Sequence, residues 1–125
     1  MAILVTRPYP DSESTAAALR ARGRDALLAP VLRFETVPLP AGFDADVAAV
    51  LVTSANAPRA VESQLKGHAL LKLPLFAVGE HSAAAARRAG FAKVFSADGD
   101  AAALRDLVLG HIRAGRVKDV ELDQL

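Results

Sequence analysis

Short aliphatic runs recur along this chain, and three of them end in hydroxyl residues or a glycine ahead of a stretch of helical period. No other feature constrains the fold as much. The clearest instance is Val50-Leu51-Val52-Thr53-Ser54-Ala55-Asn56-Ala57. Continuous apolar runs of this length suit parallel strands, because helices cover both faces of the sheet and leave no polar side. Thr53 and Ser54 stand where such a strand delivers the chain to the carboxyl edge of the sheet, and open α/β sheets bind ligands at that edge. Ser54 is also a competent helix N-cap, so its hydroxyl and the following free N–H groups face whatever occupies the crevice. Plain capping accounts for the same residues, and both readings stay open at this point.

Taken in order, Ala2 to Thr6 reads as a buried strand. Pro8 turns Arg7 away from helix and makes Arg7 to Pro10 a loop. Asp11 or Ser12 caps a helix to about Arg22, with Thr15, Ala18, Leu19 and Arg22 on one face and Gly23 as its stop. Ala26 to Leu28 is a second strand. Leu32 to Val37 alternates apolar with polar, the pattern of a half-buried ribbon, and the prolines from Pro30 to Pro40 mark a boundary. Residues 1–37 are thus expected to form part of a first α/β unit and 38–125 a second, which pack as one compact domain or complete themselves through a dimer.

The run at Val50 is expected to be the central strand, and the helix after it to turn Ala57, Ala60, Val61 and Leu65 inward. Pro58 is tolerated there because it falls in the first turn. Leu73 to Val78 is the next strand. Gly79-Glu80-His81-Ser82 leads into an alanine-rich helix that must lie close to the sheet and ends at Gly90. Lys93 to Ser96 is a further strand. Asp100 caps an amphipathic helix with Leu104, Leu107, Val108 and Ile112 inward, closed by Gly115. Val117 to Leu122 is expected to begin one more strand. Strands alternating with helices imply a three-layer αβα arrangement around a mostly parallel sheet, flavodoxin- or Rossmann-like.

Composition excludes more than it selects. Hydrophobic residues make up 52% of the 125 residues and charged ones 23%, a globular balance. A net charge of +1 gives no pull toward nucleic acid or an anionic membrane. The absence of cysteine removes disulfides, a thiol nucleophile and thiolate metal sites. The amino-terminal residues lack the pattern of a signal peptide, and no run is long enough to span a bilayer, so a cytoplasmic protein is expected. Neither glycine-rich nucleotide motif is present. His68, His81 and His111 are scattered, and no metal site or other cofactor is expected. What remains are strand ends at Thr6-Arg7, Thr53-Ser54 and Gly79 to Ser82, where hydroxyls and helix N-termini suit a carboxylate-rich or phosphate-bearing ligand.

Leu4-Val5-Thr6-Arg7-Pro8, Leu51 to Ala57 and Ala77-Val78-Gly79-Glu80-His81-Ser82-Ala83, with Gly90-Phe91, Asp100 and Leu104 at matching intervals, resemble bacterial uroporphyrinogen-III synthases. The resemblance runs from about residue 3 to residue 115. It implies a cofactor-free lyase that takes linear hydroxymethylbilane, removes its hydroxyl as water, inverts the terminal pyrrole ring through a spiro intermediate and closes the macrocycle. It further implies a substrate held by backbone amides and hydroxyls between two α/β domains, without an accepted catalytic acid or base. Carried over by motif, Thr6 and Arg7 lie on one wall, and Thr53, Ser54, Ala55, Gly79 and Ser82 on the other.

Two departures stand out. Ser82 replaces the family's usual threonine and keeps the hydroxyl. The chain also resembles only the N-terminal portion of the family, whose first domain is completed by a later segment. An active synthase and a shortened chain with little activity alone both stay open, as does a non-enzymatic flavodoxin-like module that binds a small anion or a protein partner. The first unit, lacking part of its sheet, must fold back on the second or pair with another copy, and a homodimer is expected.

Overall fold

A computed structural model of the chain describes residues 1–43 and 46–117. It divides into two compact units, 1–35 and 36–125. The smaller holds strand β1 (Ala2–Val5), helix α1 (Asp11–Ala21) and strand β2 (Asp25–Leu28), a parallel pair joined through a helix. The larger holds β3 (Val50–Val52), α2 (Asn56–Leu65), a 3-10 turn (Ala69–Lys72), β4 (Pro74–Ala77), α3 (Glu80–Arg88), β5 (Lys93–Ser96) and α4 (Ala101–Arg113). Its sheet is parallel throughout, in the order β3-β4-β5.

The layers of the larger unit follow from the two-residue period of a strand. Leu75 and Ala77 point to one face and join Leu65 of α2 and Ala83 and Ala86 of α3 in one core. Phe76 points to the other face and joins Leu104 and Ile112 of α4. Helices on both faces of a parallel sheet make this a three-layer α/β fold. The alanines do what their size allows: Ala83 and Ala86 are fully buried, so α3 lies directly on β4 and β5. Each predicted stop ends its helix, with Gly23, Gly90 and Gly115 in the left-handed region that glycine adopts without strain.

Several expectations need correction. β4, and not the run at Val50, is the central strand, and β3 is an edge whose Leu51 is 54% exposed. Pro58, and not Ala57, turns inward at the start of α2, because the helix starts at Asn56 and sets the phase. In α1, Ser12 and Ala16 are buried and Ala18 is exposed. Neither Asp11 nor Ser12 caps α1, since Pro10 holds the N-cap position and Asp11 is already helical. Residues 32–37 form no strand. The strand at Ala2 forms, but only Val5 in it is buried. Of the strand expected from Val117 to Leu122, Val117 is buried outside any strand and the rest lies outside the described residues.

Candidate functional site

Each strand of the larger unit ends at the same carboxyl edge, and its loop leads into a helix N-terminus. The loops are tied by an extension of the sheet's hydrogen bonding. The Val78 N–H donates to the Val52 carbonyl at 3.1 Å, the Ala97 N–H to that of Ala77 at 2.9 Å, and the Gly99 N–H to that of Val78 at 2.8 Å. These bonds bring Thr53-Ser54-Ala55, Val78-Gly79 and Gly99-Asp100 into one row.

The three helix N-termini on this row differ in how they are capped. At α2, Ser54 Oγ accepts from the Asn56 N–H at 3.1 Å and from Asn56 Nδ2 at 3.2 Å. Pro58 then offers no donor. Ser54 therefore assists the helix from one position before the N-cap, which is the buried Ala55. At α4, Asp100 Oδ1 accepts from the Ala103 N–H at 2.7 Å, so its own carboxylate occupies the positive end of the helix. At α3 the N-cap is Gly79, which has no side chain to spend on capping. Its carbonyl takes the Ala83 N–H at 3.0 Å, and the N–H groups of the first turn have no intrahelical acceptor. Of the three, only α4 carries a side-chain cap at its N-cap residue. Glu80 in that turn is held at 2.6 Å by Arg87.

A Cβ at Gly79 would stand 3.7 Å from the Gly99 Cα, in ordinary contact, so the fold admits a side chain there. Thr53 is exposed on the row, Ser54 and Gly79 are half-buried, and Ser82 is buried in the first turn of α3. Val78 and Gly99 also belong to the row. The sequence signal for Gly99 is its place between two aspartates after a strand, a sign of a tight loop.

The remaining candidates belong to the smaller unit. Thr6 follows β1 and is exposed, and its carbonyl accepts from the Val31 N–H at 3.4 Å. Arg7 donates from Nη1 to Thr15 Oγ1 at 2.9 Å and pairs with Asp11 at 3.6 Å, so its guanidinium is tied to the start of α1. Among the described residues, no His/Cys/Asp/Glu group is arranged to hold a metal ion, and no helix is long and apolar enough to cross a membrane.

This three-layer α/β unit delivers hydroxyls and helix N-termini to a single edge, the edge at which open α/β sheets hold their ligands. The family model described as uroporphyrinogen-III synthase HemD matches residues 13–118. The chain belongs to that family. Thr53, Ser54, Ala55, Gly79 and Ser82 lie inside the matched residues, and Thr6 and Arg7 precede them. No curated protein matches the chain significantly.

Proposed function

We propose that this chain takes hydroxymethylbilane as its small-molecule substrate and cyclises it to uroporphyrinogen III, with loss of water and inversion of the terminal ring, in the cytoplasm and without a cofactor. Family membership supports the reaction class, and the single row formed by Thr53, Ser54 and Gly79 at the carboxyl edge is the observation that carries the reading. The bilane is a polycarboxylate. Free N–H groups and hydroxyls suit its acid side chains, and the positive end of a helix favours their charge.

In this reading the chemistry needs little covalent help from the protein. Departure of the hydroxyl as water leaves a cationic carbon, and the outcome depends on which ring carbon reaches it. The residues of the row anchor the carboxylates and so fix the rings in the geometry that leads to the spiro intermediate. Thr53, Ser54, Gly79 and Ser82 are proposed as contacts on one wall, with backbone N–H groups of Ala55 and the α3 turn. Thr6 and Arg7 are proposed as contacts from the smaller unit.

The test is the isomer ratio of the porphyrin. The purified chain is mixed with freshly generated hydroxymethylbilane and the oxidised product is separated by chromatography. Isomer III in excess over a protein-free control is the expected result. Isomer I alone, from a folded sample, overturns the reading for this chain.

A further inference from the structure

A second crevice of the larger unit opens at the opposite, amino edge of the same sheet, with a volume of about 560 Å³. Four separate stretches of chain meet there: the approach to β3, the turn before β4, the first residue of β5 and the segment after α4. Among the described residues its charged lining is Lys72, Lys93 and Arg116 against one carboxylate, Asp46, while Leu73 and Pro74 supply apolar surface. The strand register explains part of this convergence, since Pro74 and Lys93 are paired neighbours at the starts of β4 and β5.

Among the described residues the charges are gathered and not compensated. None of Lys72, Lys93 and Arg116 forms an ion pair among the described residues, whereas Arg7, Arg33, Arg87 and Arg105 each do. The whole chain carries a formal charge of only +1, so three cations facing one carboxylate concentrate positive potential in this crevice. Like charges around a concave, partly apolar wall repel one another, and an anion placed among them relieves that repulsion and gains from focusing of the field. The volume falls in the range of small-molecule sites. An arginine adds forked recognition of carboxylate or phosphate, and two lysines add point charges.

We infer that the amino-edge crevice binds a small polyanion, an organic molecule or ion bearing at least two carboxylate or phosphate groups, through Lys72, Lys93 and Arg116. This site lies at the other end of the strands from the row at Thr53 and Gly79. It is independent of the reaction proposed there.

The full chain is titrated at low ionic strength in a calorimeter with inorganic pyrophosphate and, separately, with benzene-1,3,5-tricarboxylate. Saturable binding of one equivalent is expected for at least one of them, weakened about tenfold or more by the double change Lys72→Glu and Lys93→Glu, and weakened by added salt. Pyrophosphate alone binding assigns the site to phosphates. The tricarboxylate alone binding assigns it to carboxylates, and binding of both assigns it to polyanions of either kind. Amide NMR shifts on titration are expected at Val47, Ala48, Leu73 and Lys93. Two results overturn the inference: no saturable binding of either probe, or binding that survives the charge reversal in a variant with an unchanged melting curve.

Discussion

His111 is a buried, titratable side chain with no role at either edge of the sheet. It lies edge-on to Phe76 at 5.0 Å and 4.3 Å from Phe95, and its Nδ1 is buried without a hydrogen-bond partner. Burial, and then the nearby charge of Arg116, push its pKa below the ordinary 6.5. The unfolded chain therefore binds this proton at a higher pH than the folded one. Stability contributed by the neutral ring is full above the unfolded value and falls as pH drops below it toward the folded value. The melting temperature is expected to fall on acidification from about pH 7. His111→Leu is expected to flatten that slope in scanning calorimetry, and an unchanged slope would assign the effect to other groups. Two glycines make a second contrast at this scale. Gly99 has φ near 100°, so Gly99→Ala strains the backbone and is expected to cost about 1 kcal/mol or more in denaturant unfolding. Gly79 is extended, so Gly79→Ala is expected to melt within a few degrees of the parent. It is also expected to lower the yield of isomer III about tenfold or more by crowding the α3 N–H groups. Normal turnover in that variant would remove α3 from the site.

At the scale of elements, the three helix N-termini on the carboxyl edge differ in their caps: Gly79 and Asp100 are extended, Ala55 is already helical, and only Asp100 caps with its side chain. Asp100→Ala removes the 2.7 Å bond to the Ala103 N–H and is expected to destabilise the unit by about 1 kcal/mol, read as a lowered denaturant midpoint. That cap was legible in the sequence, because an aspartate directly before an amphipathic run has few other uses. So were the stop glycines and the close seat of α3, which follows from a face of alanines. The phase of α2 was not legible. Ala57 and Pro58 are both small and apolar, and which of them turns inward depends on where the first turn begins. That point is set by Ser54 Oγ holding the Asn56 N–H, a contact made by the folded loop. The same is true of α1, where a start at Asp11 carries Ser12 and Ala16 to the sheet.

Over the whole molecule, the two units differ in how well their sheets are covered. The larger has helices on both faces. The smaller has one helix and a parallel pair whose residues Leu4 and Leu27, partners in register, are each 58% exposed. A two-stranded sheet of this size is marginal in water, and an open apolar face of a parallel sheet calls for a cover. We expect a second copy to supply it, with a dimer mass in light scattering at micromolar concentration. Leu4→Lys with Leu27→Lys is expected to return it to a monomer. A parent chain that is already a stable monomer would refute the dimer. By itself the sequence determined the alternation of strands and helices, the parallel three-layer class, most helix ends and the family, because these follow from local period, capping chemistry and the order of motifs. Only the tertiary structure decided that, among the described residues, β4 lies at the centre with β3 at the edge, and that the loops after all three strands meet in one row. It alone gathered Lys72, Lys93 and Arg116 at the far edge. Each of these depends on which distant segments become neighbours, and neither period nor propensity along the chain carries that information.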